Sequence, residues 1–227
     1  MDTFLANLPL LANQLKAGDA IGFTFFTGYM SMFAASVFFF FERQNVDGKW
    51  KTSLLVSGLI TMIAAVHYYY MRDYYLEISA AAEAAGRALL PGEASPTQFR
   101  YIDWTLTVPL MCVEFYLLLK PYGAKTAMMW RLIAASVVML VAGYLGEAVF
   151  RDQTILWGVI STLGYLWIVY EATFGEVKKL AAESNNPDVA NAVSLLRNFV
   201  LVGWAIYPLG YMTMPGNLLD GMFNLDL

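Results

Sequence analysis

The stretch from Arg100 to Leu119, RYIDWTLTVPLMCVEFYLLL, is apolar enough to lie in a lipid bilayer, yet it carries Arg100, Asp103 and Glu114. Charged groups in hydrocarbon are costly unless paired, and those that persist there mark ion or proton pathways. At about 100° per residue of an α-helix, Arg100, Asp103, Thr107 and Glu114 fall within about 60° of arc on one side. Eleven residues separate the two carboxylates, about 16 Å along the axis. They cannot share a proton directly, so they read as two stations on one route. The plainer reading is a polar face that only pairs with neighbouring helices.

The surroundings distinguish the two acids. Asp103 has Arg100 one turn away, and a nearby cation favours an ionised carboxylate. Glu114 sits among Leu110, Met111, Val113 and Leu117, with only Lys120 near its face, at the membrane edge. That environment favours a carboxyl that is protonated at rest. An ionised acceptor and a protonated donor on one axis form a proton relay awaiting a switch. The one histidine, His67 in AAVHYYYMRD, lies at about the depth of Asp103 in the preceding antiparallel span. It is either a hydrogen-bonded core residue or a partner that tunes Asp103.

The elements that must carry these residues follow from composition. Of 227 residues, 59% are hydrophobic and 14% charged, with a mean hydropathy of +0.53. Soluble domains carry about 25% charged residues, so this is a membrane protein. Runs long enough to cross a bilayer occur at about 20–41, 52–71, 101–119, 132–149, 154–170 and 198–214,. They are expected as helices, because no alternating barrel strands are present. After Pro215 comes GNLLDGMFNLDL, a polar turn followed by what looks like the start of another segment.

Loop charges give an orientation. Arg43, Lys49, Lys51, Lys120, Lys125, Arg131, Lys178, Lys179 and Arg197 flank one side, against Lys16, Arg72, Arg87, Arg100 and Arg151 on the other. The richer side belongs in the cytoplasm, which puts the N-terminus outside and Glu114 toward the cytoplasm. MDTFLANLPLLANQLKAGDA lacks the basic start of a signal peptide and reads as a short outer-surface helix,. The outer loop from Asp73 to Gln98 is expected as a short helix with a hairpin or cap, or as a contact to a neighbouring protomer.

Other functions find little support. The net charge of -4 is spread over short loops, with no basic patch for nucleic acid,. One His and one Cys in separate spans make neither a metal site nor a hydrolytic set. Cys112, inside an apolar run, reads as a small core residue.

These residues resemble a known family. RYIDWTLTVPLMCVE is similar to the third helix of the microbial (type 1) rhodopsins, above all the proteorhodopsin and xanthorhodopsin-like proton pumps. HYYYMR (67–72), VMLVAGYLGE (138–147), LWGVIST (156–162) and GWAIYPLGY (203–211) resemble their second, fourth, fifth and sixth helices, in order. The resemblance implies an all-α membrane protein: a single seven-helix rhodopsin domain, 1–227, holding six helices and the start of the seventh. It implies all-trans retinal as cofactor and a light-driven outward proton pump, an ion transporter and not an enzyme. Asp103 is then the retinal counterion and primary proton acceptor, Glu114 the cytoplasmic donor, and His67 the partner of Asp103. Thr107 falls between the two acids in the family's Asp-Thr-Glu signature, and Arg100 is its gating arginine. Trp104, Met111, Met139, Gly143, Ser161, Thr162, Trp204, Tyr207, Pro208 and Tyr211 match positions lining the chromophore. An apolar Met111 implies green rather than blue absorption.

Gly158 matches the glycine that opens a window to the retinal ring in xanthorhodopsin-like pumps. It leaves room for a carotenoid antenna, a hydroxylated xanthophyll; close helix packing would use a glycine equally well. The resemblance also implies a bacterial inner (cell) membrane protein, multi-pass, with lipid as its surroundings and a homo-oligomer, often a pentamer. No protein transducer is required. A sensory photoreceptor signalling to a membrane partner is the alternative, and Glu114 argues against it. A channel, or a sodium or chloride pump, would usually change the residues at 103, 107 or 114.

One departure matters. The family binds retinal through a seventh-helix lysine, and that helix also carries a second counterion aspartate. Lys16, Lys49, Lys51, Lys120, Lys125, Lys178 and Lys179 all lie in loops or at span ends, so none is a Schiff-base lysine. The expectation is a chain truncated after Leu227, or a last helix recorded elsewhere.

Overall fold

The computed structural model describes residues 18–90 and 92–212. The expected N-terminal surface helix, the segment after Pro215 and the side chain of Tyr211 lie outside the described residues. Six helical spans are present among them, each apolar enough to cross a membrane, and no strand.

The first span, α1 (Ala20–Glu42), starts at Asp19, whose carboxylate accepts the Gly22 N–H at 2.8 Å and caps the helix,. α2 (Lys51–Ala84) has 34 residues. At 1.5 Å each it is about 51 Å long, well beyond a hydrocarbon core of about 30 Å. The expected span 52–71 therefore covers only its apolar part. The helix continues through RDYYLEISAAAEA because polar residues end a hydrophobic run without ending a helix. Ala and Glu are good helix formers. The connection to α3 shrinks to 85–96, where Arg87 grips Glu93 with hydrogen bonds of 2.8 and 2.6 Å.

α3 (Thr97–Leu119) is the most enclosed span and buries Asp103, Thr107 and Glu114 together with Cys112, Phe115 and Leu119. It packs against α2 and α4. α4 (Thr126–Tyr144) begins earlier than the expected 132 and ends in a π-helical turn, Leu145–Val149. α5 (Thr154–Thr173) leads to the short α6 (Glu176–Glu183) and then to α7 (Pro187–Asn198), capped by Asn186. A second π turn, Phe199–Gly203, joins α7 to α8 (Ile206–Met212). The sixth span thus starts at 187 rather than 198, its first turns being too polar to read as membrane.

The packed core joins α3 through α7. Cys112, Phe115, Leu119, Met128, Leu132, Ile168, Val177 and Val200 are each at most 1% exposed. Where lipid replaces water, such contacts hold helices by dispersion and close fit rather than by exclusion from water. Gly164 shows how close: a Cβ there would lie 2.7 Å from Met139 N and 2.9 Å from Ala135 O, so α4 and α5 touch backbone to backbone. Large apolar side chains such as Phe38, Phe41, Ile155 and Leu163 point outward, as lipid-facing residues do.

Candidate functional site

Helices α1 to α5, the second π turn and α8 line a half-open cavity of about 710 Å³ near the Asp103 end of α3. Its wall is mostly apolar and aromatic, as ligand cavities of this size usually are. The sequence-predicted Trp104, Met111, Met139, Gly143, Gly158, Ser161, Thr162, Trp204, Tyr207 and Pro208 all line it, as do Arg100, Asp103 and Thr107. Trp104 and Tyr207 meet edge to face with ring centroids 4.7 Å apart, one from α3 and one from α8,. Tyr68, Tyr101, Glu147 and Tyr165 also line it and were not picked out from sequence. The aromatic spacing of HYYY could have suggested Tyr68; nothing local could have suggested Tyr165.

Several polar groups in the wall are already satisfied. Thr107 donates to the Asp103 carbonyl at 2.9 Å, Ser161 to the Met139 carbonyl at 2.7 Å, and Thr162 to the Gly158 carbonyl at 2.8 Å. Tyr165 donates to the carbonyls of Val200 and Leu201 (3.1 and 3.0 Å), which the π turn before Trp204 displaces from helical pairing,.

Asp103 is 3% exposed, and its Oδ1 has no hydrogen-bond partner among the described residues. The His67 ring nitrogen Nδ1 lies 3.7 Å from it, within ion-pair range, but pairs at 2.8 Å with the Ile63 carbonyl of its own helix. The histidine is therefore both a hydrogen-bonded core residue and a neighbour of Asp103. Arg100 differs from expectation. Its guanidinium turns away from Asp103 to Glu147, with a further hydrogen bond of 3.2 Å to Thr97.

Glu114 lies outside the cavity, one helical stretch away and 4% exposed. Sequence predicted apolar surroundings. In the structure both carboxyl oxygens also meet hydroxyls of α2: Ser53 at 2.5 Å and Ser57 at 2.7 Å. The i,i+4 spacing of two serines in an apolar helix was the signal available for this pair.

A mostly apolar cavity holding one buried carboxylate oxygen without a hydrogen bond suits an apolar ligand with a cationic group. No lysine lines the cavity among the described residues. At Gly158 an added Cβ would meet nothing within 4 Å, so close packing does not require this glycine.

Comparison with known proteins shows the family of the chain. The family model described as bacteriorhodopsin-like protein matches residues 19–225. A blue-light absorbing proteorhodopsin of Gamma-proteobacterium Hot 75m4 is 41% identical over 218 residues, 96% of this chain and 80% of that protein. A green-light absorbing proteorhodopsin of Gamma-proteobacterium EBAC31A08 is also 41% identical, over 97% of this chain and 83% of its own length. Among solved structures, the rhodopsin of Exiguobacterium sibiricum aligns with a TM-score of 0.70 at 31% identity, covering 86% of this chain and 80% of that one. Xanthorhodopsin, described as a light-driven ion pump with dual chromophore, aligns at 0.70 and 30% identity, over 87% and 79%.

Proposed function

The chain belongs to the bacteriorhodopsin-like family and is a multi-pass membrane protein with the rhodopsin fold, and we propose that it is a light-driven outward proton pump. The observation that carries this reading is the placement of two buried carboxyls on one helix. Asp103 presents a carboxylate oxygen without a hydrogen bond at the cavity, with His67 beside it, and Glu114 is held by hydroxyls beyond it. The similarity to proteorhodopsins and to an ion pump supports it.

Retinal, bound as a protonated Schiff base, would supply light absorption and a proton held less tightly after isomerisation. Asp103 would face that cation as counterion and take the proton. The His67 Nδ1–H, which donates to the Ile63 carbonyl, lies 3.7 Å from Asp103 and tunes it as a neighbour,. Trp104 and Tyr207 confine the ligand, and Thr107 braces the α3 backbone beside Asp103. The tight core around Cys112, Phe115 and Leu119 keeps water from joining the two acids at rest. Glu114 resupplies the proton, and Ser53 and Ser57 stabilise the carboxylate left behind,. The reading needs a Schiff-base lysine that none of the seven lysines of this sequence supplies. It places the Glu114 end in the cytoplasm and the N-terminus outside.

We read Gly158 as a window for a carotenoid antenna. The open space at its Cβ and the likeness to a dual-chromophore pump support this. A homo-oligomer in the bacterial cell membrane completes the proposal. Glu114 is the observation against the sensory alternative, because signalling needs no carboxylic donor.

The test is the visible spectrum and intact mass of the purified protein after adding all-trans retinal. A green-absorbing band that hydroxylamine bleaches, with the mass of retinal on a lysine-bearing peptide, is expected. No band, in a folded protein, would refute the reading.

A further inference from the structure

Arg100 and Asp103 are one turn apart on the same face of α3, yet the structure does not pair them. Three contacts hold the guanidinium elsewhere. Its Nη2 donates to Glu147 Oε1 and to Thr97 Oγ1, and its plane lies 5.6 Å from the centre of the Trp104 ring. Thr97 in turn donates to the same Glu147 oxygen at 2.9 Å, closing a three-membered network. Glu147 reaches this position because it sits in the π turn that ends α4. A π turn adds a residue to the helical repeat and rotates the side chains that follow,. Arg151 fixes the same turn by donating to the Glu147 carbonyl at 3.1 Å.

Without Glu147, the carboxylate one turn along the same helix, Asp103, is left as a partner for a cation at residue 100. An arginine bonded to Asp103 would offset the negative charge that the proposed pump needs for its bound cation. We propose that Glu147 is a positioning residue that competes with Asp103 for Arg100. It holds the guanidinium at the end of the cavity, so that the charge of Asp103 stays free for the chromophore. The proposal rests on the pump reading for its purpose, but the contact it describes stands independently of it.

The first experiment reads that contact by solid-state NMR, as through-space transfer between the Arg100 guanidinium and the carboxyls of Asp103 and Glu147. It uses the intact protein in lipid, with and without retinal. In the wild type we expect transfer to Glu147 and none to Asp103. In Glu147→Gln we expect transfer to Asp103 to appear, and in Glu147→Asp the wild-type pattern to persist. Transfer to Asp103 already in the wild type, or none in Glu147→Gln, would overturn the proposal. Because the retinal-free protein gives the same reading, this failure is distinct from a failure to form a pigment. The second readout is colour. An arginine on the counterion weakens its field, so Glu147→Gln should shift the visible band to the red, less than Asp103→Asn does. In an Asp103→Asn background the same substitution should shift it no further. An equal shift in both backgrounds would mean that Glu147 acts on the pigment without Asp103, and would also overturn the proposal.

Discussion

The two ends of α3 solve the same problem, a carboxyl group inside a membrane, in opposite ways. Around Glu114 the chain is tightly packed. Phe115, Leu119, Leu132 and Val200 are almost wholly buried, and among the described residues the acid meets two neutral hydroxyls, Ser53 and Ser57. Around Asp103 the helices part to leave a cavity, and polar groups gather: the His67 ring at 3.7 Å, with Arg100 and Glu147 paired to each other beyond it. A carboxyl among neutral hydroxyls suits a stored proton, and an open cavity with an unbonded carboxylate oxygen suits a cation. On the proposed reading the closed end is the donor's and the open end the acceptor's.

The strongest way to break this comparison is to remove the acceptor's charge. Asp103→Asn should abolish light-driven proton transport and shift the visible band to the red. Normal transport by that variant would take Asp103 out of the route. Next comes the donor. A positioned general acid is worth about 10²–10⁴-fold, so Glu114→Gln should slow reprotonation after a flash on the order of 100-fold. Its resting colour should scarcely change, because Glu114 lies outside the cavity. An unchanged rate would locate the donor elsewhere.

The hydroxyls sharpen the account of the closed end. A hydrogen bond to an ionised acceptor is worth about 1.5–3 kcal/mol. Ser57→Ala removes one from the Glu114 carboxylate and should slow its proton donation roughly tenfold, while Ser57→Thr restores the rate. Equal rates in wild type and Ser57→Ala would make the serine a packing residue only.

The smallest effect is expected far from both acids. In the 85–96 connection, the Arg87 guanidinium and then the Leu90 N–H hold the exposed Glu93 carboxyl down to about 2. A carboxyl whose value falls on folding stabilises the folded loop above its ordinary range near ~4.3, and loses that contribution as pH falls through about 2. Glu93→Gln should leave transport unchanged and remove the acid-induced opening of this loop, read by proteolysis between pH 5 and 2 (about the window those values define). Slower transport in that variant would tie the loop to the site.

Much of this was legible in the sequence, and the exceptions have physical causes. Apolar runs located the six spans, and helical periodicity put Arg100, Asp103, Thr107 and Glu114 on one face. The runs understated α2 and the sixth span, because hydrophobicity reports where lipid is and says nothing of where hydrogen bonding stops. The partner of Arg100 was hidden for another reason. Periodicity assumes a regular helix, and the π turn at Leu145–Val149 breaks the repeat at the residue that matters. Glu147, inside the expected span 132–149, binds the arginine that sequence had placed beside Asp103. Ser53 and Ser57 were visible as a pair, but their meeting with Glu114 depends on the register of α2 against α3, which no local pattern states.

The central claim is outward proton transport, and the pH of an unbuffered suspension of retinal-supplied cells making the protein tests it most directly. Illumination should acidify the medium, a protonophore should abolish the change, and Asp103→Asn should show none. Alkalinisation in the light, or no pH change from cells that carry a hydroxylamine-sensitive visible band, would contradict it.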